Sequence, residues 1–155
     1  MATFEEQLDT RGFLCYTNKG VSMMPLLRHD RDIMIIYKQT SDFKKNDAVL
    51  FKRPNGQYVL HRITKVHGDG LYTIIGDNCI GGEVVPEQQI LGVLREVKRG
   101  DKTVHNDDFW YRVYVFLLPV RRVWLRFRES IWRPIRRFLG KVYHTFVPRE
   151  EPERE

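Results

Sequence analysis

Short apolar runs separated by turn residues fill the first hundred positions of the chain. Residues 32–37 form one such run, rich in β-branched side chains and bounded by charge, which predicts a buried strand. Ala48–Lys52 and Tyr58–Val66 read the same way. The Pro54-Asn55-Gly56-Gln57 stretch between them predicts a hairpin turn, because Asn-Gly accepts positive φ. Another strand is predicted over Leu71–Ile75 after Gly68-Asp69-Gly70, and two more at Val84-Val85 and over residues 89–98. At the N-terminus, Phe4–Arg11 predicts a short helix stopped at Gly12, followed by an extended piece over Phe13–Thr17. No helical pattern interrupts the strands, so the fold class expected is mainly β: a compact domain of short strands.

Beyond this region the period changes. Val120, Trp124, Phe127, Ile131, Ile135 and Phe138 recur at helical spacing. Leu125, Trp132 and Leu139 widen the stripe, and Arg121, Arg122, Arg126, Arg128, Arg133, Arg136 and Arg137 fill most of the rest. The pattern predicts a basic amphipathic helix over residues 109–141, kinked at Pro134. Residues 149–155, mostly glutamate with a proline, predict a disordered tail. The expected division is a β domain over 1–105, a basic amphipathic helical extension over 106–147 and an acidic tail over 148–155.

Charge sharpens this division. Residues 1–111 carry fifteen Lys and Arg against fifteen Asp and Glu, whereas residues 112–141 carry nine basic side chains and one acid, Glu129. A helix of this kind suits the interface of an anionic membrane, where each basic group contributes about 1 kcal/mol. The plainer use is a helix packed on the β domain with its arginines in water. No nucleic-acid partner is expected. The acidic start of the chain does not resemble an export signal, and the longest apolar run, residues 113–120, is far short of the roughly 20 residues that cross a bilayer. The expected location is therefore peripheral, on the cytoplasmic face of a membrane. Two cysteines, Cys15 and Cys79, do not make a disulfide framework and are read as free thiols.

Three short stretches carry chemistry. Gly20-Val21-Ser22-Met23-Met24-Pro25 sets a serine between a glycine and a proline, and a serine hydroxyl is a poor nucleophile unless a base takes its proton. His61-Arg62-Ile63 offers that base inside a predicted strand, where the sheet fixes the ring direction. Gly76-Asp77-Asn78 delivers a carboxylate at a strand end. Ser22 as nucleophile, His61 as general base and Asp77 as orienting acid make one constellation, with the Ser22 backbone N–H as an oxyanion donor. Asp77 also reads as a turn-former, and Arg62 as a solvated or salt-bridged strand residue. His29, His67, His105, Cys15 and Cys79 lack zinc-type spacing, and Gly81-Gly82 lacks the lysine and helix of a phosphate loop. No metal and no cofactor are expected.

The Ser-Met-Met-Pro, His-Arg-Ile and Gly-Asp-Asn stretches, in this order, resemble the boxes of the type I signal peptidases. Residues 43–51 also resemble the segment that precedes the histidine in that family, so the likeness covers roughly residues 13–98. Histidine at the base position is similar to the archaeal and endoplasmic-reticulum branch rather than to the Ser-Lys enzymes. The resemblance implies a compact β fold and a serine endopeptidase that cuts beside small residues, with Gly20, Met23, Met24 and Pro25 as substrate-binding neighbours of Ser22. Its expected partner is a peptide or precursor-protein substrate that loses a leader segment. The chain departs from that branch in two ways. The acid that usually follows Gly-Asp-Asn is represented by Glu83 alone, so Asp77, Glu83 or no third residue completes the set, and no N-terminal membrane helix is seen. The alternative from another class is a catalytically silent module that holds an extended peptide.

Overall fold

A computed structural model describes residues 3–146, with side chains through Ile131. The chain opens with α1 (Phe4–Arg11), which a Thr3–Glu6 capping box starts and Gly12, at φ 76°, ends. The strands follow as β1 (Phe13–Thr17), β2 (Ile33–Lys38), β3 (Ala48–Lys52), β4 (Tyr58–Val66), β5 (Leu71–Ile75), β6 (Gly82–Pro86), β7 (Ile90–Arg99) and β8 (Lys102–His105). The last element is α2 (Phe109–Phe146). The fold is mainly β, an eight-stranded antiparallel sheet with a C-terminal helix.

Strand order is β1-β2-β7-β3-β4-β5-β6, with β8 paired to β7. β3 explains the unbroken apolar run in its sequence. Its side chains alternate between two buried clusters, Ala48 and Leu50 in one, Val49 and Phe51 in the other. The first cluster collects Leu14, Met23, Leu27, Ile36, Leu60 and Leu94, while the second collects Phe43, Ile63, Ile74, Val85 and Val93. The predicted β3–β4 hairpin forms with Lys52 opposite Tyr58, and its register sets His61 opposite Val49 and Arg62 opposite Ala48.

Two readings change. β8 was not anticipated from the sequence, because Lys102–His105 is exposed along nearly its whole length and offers no apolar run. The tail helix carries two apolar faces rather than one stripe. Tyr111, Leu118 and Leu125 are buried, whereas Val120, Trp124, Phe127 and Ile131 are exposed, so Leu125 lies opposite the stripe it was expected to widen. α2 runs through Pro119 and Pro134 as one helix. Ile135, Phe138, Trp132, Leu139 and the arginines beyond residue 131 lie outside the described side chains, and the tail over 149–155 lies outside the described residues. Among the described residues, no helix is long and apolar enough to cross a membrane.

Candidate active site

The serine stretch lies on a loop whose two ends are tied together. Asn18 donates its backbone N–H to the Asp32 carbonyl at 3.1 Å, and its own carbonyl accepts from Asp30 at 2.8 Å. Its buried side chain folds over the next turn, with Nδ2 donating to the Gly20 carbonyl at 2.7 Å and Oδ1 accepting from the Gly20 N–H at 3.4 Å. At the far end, Asp32 is fully buried and held by Arg28 and Arg99. Burial alone would raise its carboxyl. The hydrogen bonds from Arg28 and then Arg99 outweigh that and hold it at about 2, against an ordinary 3.8. Arg99 also donates to the Leu26 carbonyl at 2.9 Å, which fastens the turn after Ser22 to the end of β7.

The Gly-Asp-Asn turn clasps the same loop from the other side. The Asn78 backbone N–H donates to the Ser22 carbonyl at 2.7 Å, and Asn78 Nδ2 donates to the Val21 carbonyl at 3.2 Å. Gly76 stands where the parts meet. A Cβ placed on it would lie 2.8 Å from the Ser22 carbonyl oxygen, 2.8 Å from Cys79 Sγ and 3.0 Å from His61 Nε2. Glycine is required there by crowding, and the Ser22 backbone carbonyl and the His61 ring both approach that one position.

His61 projects from β4 with only 12% of its side chain exposed. Burial pushes its imidazole below the ordinary 6.5. The charge of Glu83 works against that shift and the charge of Arg53 adds to it. The ring is therefore neutral near pH 7, the form a general base requires. Its Nδ1 lies 3.7 Å from Glu83 Oε1, in ion-pair range but beyond a hydrogen bond, and among the described residues Nδ1 has no hydrogen-bond partner. Glu83 is itself gripped by Arg53 through bonds of 2.6 and 2.9 Å. Ser22 Oγ lies 4.0 Å from where a Cβ on Gly20 would stand. Among the described residues it forms no hydrogen bond with His61.

Asp77 was expected to orient His61, and the geometry gives it different work. It is fully buried, with Arg62 Nε on one oxygen and Arg62 Nη2 on the other, both at 2.8 Å, and with the Tyr114 hydroxyl donating at 2.9 Å. His61 and Arg62 are consecutive on β4 and so face opposite sides of the sheet; Asp77 pairs with Arg62, and its charge still raises the imidazole, though less than that of Glu83. Glu83 is the acid on the His61 side. The substrate-binding expectation also changes. Gly20 and Ser22 line a groove of about 380 Å³ with Phe4, Tyr16, Asn18 and Tyr58. Met23 is buried in the core, because the turn that follows Ser22 winds it inward, and it does not line this groove. Pro25 lines a separate hollow against Trp110 and Tyr114, and Met24 is half-buried without lining either.

Sequence reasoning did not find Asn18, Arg53 or Tyr114. The adjacency of arginine and histidine in His-Arg-Ile was a signal for the Arg62–Asp77 pair; Asn18 gave none. Cys79 is half-buried and free, and burial raises its thiol, so it stays protonated beside the imidazole. Among the described residues no three His, Cys, Asp or Glu side chains gather as a metal site would need. Compared with known proteins, the chain matches no family model and no curated protein.

Proposed function

We propose that the chain is a serine endopeptidase of signal-peptidase type, which removes a leader or signal segment from a peptide substrate. The observation that carries this reading is the approach of the Ser22 loop and a desolvated, neutral His61 to one position, Gly76, with Ser22 itself lining a groove. Ser22 Oγ turns from the Gly20 side toward Nε2 and gives up its proton as it attacks the scissile carbonyl. The imidazolium that results faces Glu83, whose charge favours it, and returns its proton to the leaving amine. Water then repeats the cycle on the acyl-enzyme. The Ser22 backbone N–H is the donor available to the developing oxyanion. Asn78 holds the loop that carries both groups by its bonds to the Val21 and Ser22 carbonyls. Glu83 replaces Asp77 as the acid of the set, and Asp77 positions the turn.

The rotation that Ser22 requires favours a second reading, a module that binds an extended peptide in the groove without cutting it. Processing of a leader-bearing peptide separates the two. Wild type is expected to yield product, with Ser22→Ala and His61→Ala slower by about three orders of magnitude or more. Equal product from all three would leave only the binding module.

A further inference from the structure

α2 presents two apolar faces on opposite sides, and among the described residues only one is used within the chain. Tyr111, Leu118 and Leu125 are buried, Arg62 reaches the Tyr111 hydroxyl at 3.0 Å, and Arg121 donates to the Asp77 carbonyl at 2.9 Å and to Asn78 Oδ1 at 3.1 Å. That face fixes the helix to the Gly-Asp-Asn turn. The residues half a turn away point outward: Trp110 is 76% exposed, Phe116 81%, Val120 67% and Phe127 64%, with Val123 and Trp124 between them. So wide a run of large apolar side chains on one face of a soluble helix marks an interaction surface. Basic groups edge it on both sides, Arg112 and Arg126 along one margin and Arg128 along the other, where its guanidinium lies 5.2 Å from the Trp124 ring.

We infer that this outer face of α2 seats the protein on an anionic lipid bilayer, lying in the interface. Charge complementarity selects that occupant. Residues 112–141 hold nine basic side chains and one acid, which repels a second copy of the same face and attracts anionic headgroups. Tryptophan and arginine side by side match the boundary where apolar chains meet charged heads. The docked face carries the Gly-Asp-Asn turn, so the lipid surface and that turn lie on opposite sides of one helix, separated by roughly its 10–12 Å diameter. On the endopeptidase reading, on which this last step rests, the substrate is a peptide whose leader sits in the membrane and whose scissile bond emerges a few residues above it.

The test uses the full chain and two kinds of vesicle, phosphatidylcholine alone and phosphatidylcholine with phosphatidylglycerol. All three tryptophans, Trp110, Trp124 and Trp132, belong to α2, so intrinsic emission reports on the helix alone. The expected result is cosedimentation and a blue shift with the anionic vesicles and neither with the neutral ones. The combined variant Trp110→Ser, Phe116→Ser, Trp124→Ser is expected to bind at least about tenfold more weakly. The combined variant Arg112→Gln, Arg126→Gln, Arg128→Gln, which leaves the apolar face intact, is expected to weaken binding to anionic vesicles and to reduce its salt dependence. Wild type that stays in the supernatant with anionic vesicles overturns the inference. So does equal binding to both vesicle types, or a dimer that the apolar variant disperses while vesicles bind neither protein. Because vesicle binding is read without any peptide, its failure is distinct from failure of the endopeptidase reading.

Discussion

His61 lies between two opposed charges, and that makes its protonation the most direct probe of the site. Glu83 and, less strongly, Asp77 favour the imidazolium, Arg53 disfavours it, and burial is the largest influence and leaves the ring below its ordinary value. Replacing Glu83 by glutamine removes the larger raising influence and leaves the smaller one of Asp77, while Arg53 keeps its charge, so the imidazole falls further below 6.5. The acidic limb of the pH profile of kcat/KM is therefore expected to move to lower pH in Glu83→Gln, with a lower plateau because the imidazolium loses its partner. An unmoved limb would remove Glu83 from the mechanism. Gly76→Ala tests the crowded meeting point. Its Cβ would meet the Ser22 backbone oxygen and Cys79 Sγ at 2.8 Å and His61 Nε2 at 3.0 Å, and a displacement of about 1 Å at such a point costs on the order of a hundredfold in rate. Ser22, His61 and Gly-Asp-Asn were legible in the sequence as residue types. Which carboxylate faces the ring was not, because that depends on the side of β4 each partner approaches.

At the scale of elements, β4 serves two purposes through adjacent residues. His61 looks toward Glu83 of β6, and Arg62 looks the other way into a buried pair with Asp77 that Tyr111 and Tyr114 of α2 complete. Removing one member of a buried pair strands the other charge, so Asp77→Ala is expected to destabilise the fold by about 3–5 kcal/mol. It is also expected to loosen the clasp of Asn78 on the Ser22 loop. Denaturant unfolding measures the first effect, and peptide processing under folding conditions measures the second. A loss of activity with no loss of stability would contradict the structural role. The β3–β4 hairpin was legible because Asn55-Gly56 names its turn and two apolar runs flank it. β8 was not, since a solvated strand shows no hydrophobic signature. The two faces of α2 merged in the sequence into one stripe because Leu125 directly follows Trp124, and only docking assigns them to different sides.

At the scale of the molecule, the Arg28–Asp32–Arg99 cluster joins the serine loop to the sheet and links stability to pH. The Asp32 carboxyl is held at about 2 when folded, against an ordinary 3.8, so its stabilising contribution is complete above 3.8 and is lost as pH falls through about 2. Asp32→Asn is expected to lower Tm by a constant amount above that window, and the gap to wild type is expected to close within it. A gap that persists at the acid end would mean that the cluster acts by packing rather than by charge. The mainly β architecture itself was open to reading because each run is short and ends in a turn residue. The partition of the interior into two clusters was not, since β3 contributes to both with a sequence that alternates nothing.

The hairpin that carries His61 ties folding accuracy to reactivity. Side chains along β4 swap sides at every step, so a slip of one position in its pairing with β3 would move the guanidinium of Arg62 to the place of the imidazole. On the proposed mechanism, the proton acceptor would be exchanged for a permanent cation beside a serine. The tight bend at Asn55-Gly56 is thus the device that decides whether an imidazole or a guanidinium stands opposite Val49 on this strand.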